Sequence, residues 1–169
     1  DIFEEELDRF IDMFEQAIAE QKINELVKNM EQMVKKQQSI LDELLEEPIE
    51  NLPELSNKER QQEEQFKNVQ NLMEDTHDAI EKFSQSAAQM ISEMKESETV
   101  DLVQEHLTSA RKNMQNNNIN KALNDAEIAD NGLNKILNEV KKIQDQFQQD
   151  TVSEMMNKFL SVVKNLLII

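Results

Sequence analysis

The chain has 169 residues and a formal charge of −17, from 18 basic and 35 acidic side chains, with one Gly, two Pro and no Cys. A chain of this size can bury a shared core as one domain without disulfides or metals. Its charge repels a phosphate backbone and disfavours anionic lipid surfaces, which excludes nucleic-acid binding, and the missing Cys removes thiolate catalysis and Cys-ligated zinc while leaving the compartment open.

Average usage would supply roughly a dozen Gly and eight Pro in such a length, so few tight turns are encoded and the chain must run in long elements. Glu, Gln, Lys, Leu, Met and Ala dominate and Trp and Tyr are absent, which makes those elements helices rather than strands. The expected architecture is all-α: one elongated antiparallel, coiled-coil-like bundle of about five helices over residues 1–169. Frequent Asn and Ile, with few Arg beside many Lys, suit an A+T-rich bacterial genome. No signal-peptide pattern is visible. The chain opens at Asp1 and stops in mid-pattern at Leu166-Leu167-Ile168-Ile169, which leads us to expect a fragment of a longer protein.

The first helix is expected over about 2–46. Phe3, Leu7, Phe10, Phe14 and Ala17 recur at steps of four and three, a helical stripe. The stripe resumes out of phase as Ile23, Leu26, Met30, Met33, Gln37, Ile40 and Leu44. With no Gly or Pro at the slip, a continuous helix that changes the neighbour it faces is favoured over a loop at Ala19 to Lys22. Pro48 and Pro53 close this helix, and Glu47 to Leu55 form a loop. Ser56 with Glu59 three residues on reads as a capping box that opens a second helix over about 57–95. Its stripe, Phe66, Val69, Met73, Thr76, Ile80, Phe83, Ala87, Met90 and Met94, keeps a 3.5-residue period, the pattern of a coiled-coil seam.

Ser97-Glu98-Thr99 marks a third helix, about 99–115, with Val100, Val103, Leu107, Ala110 and Met114 on one face. Asn116-Asn117-Asn118 then makes a helical hairpin, because Asn tolerates left-handed backbone and caps well. The fourth helix, about 119–148, carries Ala122, Ala126, Ala129, Leu133, Ile136, Val140, Ile143 and Phe147. Its Ala-lined half and Gly132 allow close helix approach, at about 1 kcal/mol for the Gly relative to Ala. Thr151 and Glu154 read as a further capping box before a last helix, about 152–169, with Met155, Met156, Phe159, Leu160, Val163, Leu166 and Leu167. Lys158 and Lys164 interrupt that run, which is too short for a membrane span, so a buried core helix is expected.

Few residues invite chemistry. Glu74 and His77 have the Glu-x-x-His spacing of helical di-iron sites, in which residues three apart share a face. A full site needs that pair twice, and the other His, His106, has Val103 where its Glu should stand. Glu74 and His77 thus remain weak metal candidates, and no catalytic residue or cofactor is assigned. The clusters Glu4-Glu5-Glu6 and Glu43, Glu46, Glu47 lack an organising loop and read as solvated helix face. His106 beside Glu105 has no nucleophile to serve and reads as a flank residue. The Met residues fall mostly on seams, where core filling is favoured over an adaptable binding groove. Gln37 and Thr76 are polar seam positions that specify register.

Met33-Val34-Lys35-Lys36-Gln37-Gln38-Ser39-Ile40-Leu41-Asp42-Glu43-Leu44, the Ala-paced run to Leu133, and Met155-Met156 with Asn165-Leu166-Leu167 carry a resemblance. They resemble the Gln/Glu/Met-rich helical region of large, uncharacterised bacterial proteins anchored by transmembrane helices near the N-terminus. The resemblance implies an extracytoplasmic or membrane-tethered helical module with no assigned activity, touching a membrane only through segments outside these residues. The expected function is a structural scaffold or protein-interaction module inside a larger bacterial protein. It would act through helix faces on protein partners or the rest of its own chain, in an oligomeric state the seams leave open. A membrane-acting effector or toxin-type bundle is the alternative, and a carboxylate-bridged metal protein a third reading.

Overall fold

The computed structural model describes residues 2–46 and 51–167, and among them five helices and no strand. They are α1 (Ile2–Glu46), α2 (Leu52–Ile80), α3 (Gln85–Lys95), α4 (Glu98–Gln115) and α5 (Ile119–Leu167). The protein is an all-α bundle. α1 packs on α2 and α5, and both α3 and α4 pack on α2 and α5. The short helices α3 and α4 thus occupy one corner of a four-cornered section in succession.

Polar contacts between helices give their directions. Lys58, Gln62 and Gln65 of α2 reach Glu43, Met33 and Asn29 of α1, so the two run antiparallel. Lys141 pairs with Glu31 at 2.9 Å and Gln144 donates to Asn24 at 2.7 Å, which sets α5 antiparallel to α1. His106 meets Asp125 at 2.8 Å across the antiparallel α4 and α5.

α1 runs unbroken through Ala19 to Lys22, the favoured sequence reading. Helix boundaries elsewhere depart from expectation in three places. α2 begins at Leu52 rather than near residue 57, with Pro53 in its first turn, where the missing N–H has no helical acceptor to lose. Ser56 and Glu59 therefore lie inside the helix, and both are buried instead of capping its start. Residues 47–50, including Pro48, lie outside the described residues.

The second departure is a turn at residues 81–84 that divides the expected helix 57–95. Ser84 is extended and its Oγ accepts the Ala87 amide at 3.1 Å, an N-cap for α3. Its hydroxyl also donates to Asp150 of α5, as does that of Ser86 at 2.8 Å. These donors hold the Asp150 carboxyl below the usual carboxylate range, the Ser84 bond counting most.

The third departure follows from the same contact. Asp150 braces the α2–α3 turn, and Thr151 Oγ1 donates backward to Phe147 O at 3.0 Å, so no helix starts there and α5 continues to Leu167. The Asn hairpin and the Ser97 start agree with expectation. Asn117 has φ 57°, the one left-handed non-Gly residue described, and the Asn118 amide closes on Asn113 O at 2.8 Å.

The core has two parts. The larger joins Ala19 to Met33 of α1, Phe66 to Ile80 of α2, α3, the first turns of α4, and Ala129 to Phe147 of α5. The smaller joins Ile40, Leu41, Leu44, Leu52, Leu55, Ala110, Met114, Ala122 and Ala126. Phe66 and Ile80 are buried and Phe83 is half-buried.

α5 approaches α4 closely at Gly132. A Cβ built on Gly132 would lie 2.4 Å from Val103 Cγ2, and Val103 is a buried, β-branched side chain with little rotamer freedom in a helix. Gly132→Ala is therefore expected to lower stability by about 1–3 kcal/mol despite the better helix propensity of Ala. In a Val103→Ala background the same substitution should cost much less, and urea unfolding of the four chains measures the coupling.

Candidate interaction surface

In α1 the buried positions Ala19, Ile23, Leu26, Met30, Met33, Gln37, Ile40 and Leu44 keep strict steps of four and three. Counting the same steps toward the N-terminus reaches Gln16, Asp12, Arg9, Glu5 and Ile2. In α5 the buried series ends at Phe147, and its continuation is Asp150, Glu154, Asn157, Ser161 and Lys164. Both helices thus turn polar on their core-facing side at the level where α2 and α3 turn. An open recess at that level is lined by Arg9, Asp12, Gln16, Lys82, Glu154 and Lys158 together with Met13 and Phe83. Lys82, on the α2–α3 turn, reaches Asp12 Oδ1 at 2.6 Å and Glu15 Oε2 at 2.5 Å, and it holds the Asp12 carboxyl below its ordinary value.

The apolar residues of these segments lie elsewhere on the helices. At 100° per residue, Phe3, Leu7, Phe10 and Phe14 are turned roughly 150° from the core-facing line of α1. Val152, Met156, Phe159, Val163 and Leu166 are displaced similarly on α5. Residues 2–18 and 151–167 form a two-helix arm beyond the body, and sixteen large hydrophobic side chains of the arm are exposed. The only other large hydrophobics so exposed among the described residues are Leu45 and Leu102. Exposure reaches 73% at Phe3, 67% at Phe10, 62% at Phe159 and 81% at Leu167. Exposure is lower, though still substantial, at Leu7, Ile11, Ile18 and Leu160.

Two sequence expectations are corrected here. The Phe3–Ala17 stripe and the segment after residue 152 lie along antiparallel helices, yet neither is buried core. The phase slip turns their apolar faces away from the remaining helices, and α2 and α3 end before reaching them. Met155 and Met156 are accordingly exposed, whereas Met30, Met33, Met73 and Met114 fill the core. No helix among the described residues is long and apolar enough to cross a membrane.

The residues singled out for chemistry are dispersed. Glu74 is exposed and pairs with Lys95 at 3.3 Å, while His77 Nδ1 meets Asp78 at 3.0 Å. The described residues contain no group of three or more His, Asp or Glu arranged to hold a metal. Glu43 is tied to Lys58 at 2.6 Å and accepts from Ser39, which lowers its pKa. Glu4, Glu5, Glu6 and Glu46 are exposed, and Glu47 lies outside the described residues. His106 links α4 to α5 through Asp125, which also accepts from Asn113 at 2.8 Å.

A polar layer that the sequence only half disclosed separates the two core parts. Gln37 and Thr76 are fully buried as expected, but Gln37 has partners on α2. Its Nε2 donates to both Glu59 oxygens at 3.1 and 3.2 Å, and its Oε1 accepts from Gln62 at 3.1 Å. Gln62 also donates to Met33 O at 2.8 Å, and Arg111 of α4 meets Glu63 at 3.0 Å. Reading Ser56 and Glu59 as a cap hid this layer, although Glu59, Gln62 and Glu63 share the buried heptad face with Phe66.

Comparison with protein-family models, with curated proteins and with solved structures gave no match.

Burial raises the Glu59 pKa from 4.5 to about 8, against the lowering effect of the Gln37 amide and with a smaller raising contribution from Glu63. Between those values the folded chain holds a proton that the unfolded chain has released. Stability from this group is therefore complete below about pH 4.5, falls as pH rises toward 8 and levels off above it. Glu59→Gln should remove this slope. The variant is expected to match the parent near pH 4.5 and to exceed it by a few kcal/mol, to order of magnitude, at about pH 9. Urea midpoints across that pH range check the sign and the window.

Proposed function

We propose that the chain is a structural, protein-interaction module: a four-cornered helical body that carries a two-helix arm whose apolar surface packs against other helices. The carrying observation is the segregation of exposed hydrophobics, sixteen of which lie on the arm. Burying a large apolar side chain contributes about 1.5–3 kcal/mol, and monomers rarely expose contiguous patches beyond a few hundred Å². An arm of this kind is therefore a surface made to be covered. The body supplies rigidity: α1 and α5 run without interruption from its core into the arm, so the arm's direction is fixed by packing. The resemblance to helical regions of membrane-anchored bacterial proteins fits the same role, a spacer that presents a contact surface within a larger protein. The reading assigns no catalytic residue.

A lipid-facing reading draws on the same hydrophobics, and the acidic residues Glu4, Glu5, Glu6 and Asp8 on the α1 part of the arm oppose it at anionic membranes. Photo-crosslinking separates the two. A benzophenone side chain placed at Phe10 or Phe159 in the producing cell is expected to give protein adducts, and one at Leu102 on the body none. Adducts to lipid alone at Phe10 and Phe159, or no adduct at either, would rule out the protein-interaction reading.

A further inference from the structure

We infer that the buried Gln37–Glu59–Gln62 layer is a proton-operated latch on the α1–α2 seam: while Glu59 holds its proton the seam beyond the layer stays shut, and loss of the proton admits water there and opens that end of the body locally. The latch is independent of the arm and of what the arm meets. Its donors are set in one direction. Gln62 Nε2 donates to Met33 O at 2.8 Å and to Gln37 Oε1 at 3.1 Å, which leaves Gln37 Nε2 turned toward Glu59. That one neutral amide serves both Glu59 oxygens, at 3.1 and 3.2 Å, and Glu59 has no exposed surface. An ionised carboxylate enclosed in this way lacks the further donors and the counter-charge that it needs away from water.

The surrounding charges are already engaged. On α2 itself, Glu63 lies one turn on with the same sign, and Lys58 meets Glu43 at 2.6 Å and Glu54 at 3.4 Å. From α4, Arg111 is spent on Glu63 at 3.0 Å and on Gln115 at 3.3 Å. α3 packs along the far end of α2, where Lys95 meets Glu74. On α5, Asp125 is held by His106 and Asn113, and Asp130 feels the charge of Asp42 on α1. From α1, exposed Lys36 stands at an open recess that it lines with Ser39, Ile40 and Glu43, opposite Lys58, Gln61 and Gln62 of α2. Gln62 belongs to both recess and layer, so water enters by displacing a single side chain. The opening is one-sided. Beyond the layer Ile40, Leu41 and Leu44 of α1 meet Leu52 and Leu55 of α2, whereas Leu107 and Ala110 of α4 and Ala126 and Ala129 of α5 continue the apolar packing past it. An open state in which Glu59 meets water titrates near 4.5, against about 8 for the closed state, where burial raises the pKa. Opening therefore releases a proton and is favoured as pH rises between those values.

Amide hydrogen exchange of the full chain, read at residues 40–46 of α1 and 136–147 of α5, tests the latch. A one-proton opening is expected to lower protection at 40–46, corrected for the intrinsic exchange rate, on the order of 50- to 100-fold from about pH 5 to about pH 7. Dilute urea should leave that exchange nearly unchanged, because a local opening exposes little surface, while it speeds exchange at 136–147 steeply through global unfolding. These measurements on the parent chain need no variant. In Glu59→Gln the pH-dependent fall at 40–46 should vanish. Protection at 40–46 that ignores pH, or a fall that persists in Glu59→Gln, overturns the latch. A fall at both segments with one shared, steep urea dependence overturns it as well, since the proton is then released only when the whole chain unfolds.

Discussion

The fold depends on register. Along α1 and α5 the buried face repeats every three and four residues from one end of the body to the other, and every other helix finds its place against that face. The constraint also sets the body's limit. Where the repeat reaches Gln16 and Asp12 on one helix and Asp150 and Glu154 on the other, it no longer offers anything for α2 or α3 to cover. The chain between them turns at that level, fixed by Ser84 and Ser86 on Asp150 and by Lys82 between Asp12 and Glu15. The four contacts are polar because the surface they meet is polar. The arm exists because α1 and α5 stay helical after their core face has ended.

Inside the body the same register accepts polar residues at a cost. Glu59 sits fully buried with Gln37 as its hydrogen-bond donor, and a carboxyl so placed keeps its proton in preference to its charge. Gln37, Gln62 and Arg111 satisfy neighbouring groups, so the layer joins α1, α2 and α4 at one height. A one-heptad slip between α1 and α2 would separate Gln37 from Glu59 and leave both without their partner. Directional bonds thereby specify alignment where Leu, Ile and Met contacts alone would tolerate several.

Helix type, the continuity of α1, the Asn hairpin and nearly all buried positions of the body were legible from periodicity and composition. Gly132 was legible too, as a point of close approach. Three boundaries were not, and each failed where a tertiary contact outweighs a local signal. Ser56-x-x-Glu59 has the letters of a cap, yet Pro53 is accommodated in a first turn, so the helix starts earlier and both side chains are spent on packing. Asp150-Thr151 looks like a start, but its carboxylate is claimed by the α2–α3 turn and its hydroxyl by Phe147 O. The Ser84 turn interrupts a seam whose spacing is uninterrupted, since apolar period reports which face is buried and not where the backbone reverses.

The arm was half legible. Its stripes and the phase slip at Ala19 are plain in the letters, and an apolar stripe ordinarily means burial. What a single sequence lacks is the count of neighbours at each height along the rod. The exposed apolar face emerges only once the ends of α2 and α3 are placed against the lengths of α1 and α5.

The division of the hydrophobic interior bears on how the molecule opens. The section holding Ile40, Leu44, Leu52, Leu55, Met114 and Ala122 is small and lies farthest from the arm, beyond the Gln37–Glu59 layer. On the α1 and α2 side the polar layer parts the two sections, whereas Leu107 and Ala110 of α4 and Ala126 and Ala129 of α5 carry buried apolar residues past it, so fraying from the Asn116–Asn118 hairpin meets the smaller section first. The hydrophobic interior is thus divided into a larger and a smaller section, the smaller at the pole remote from the arm.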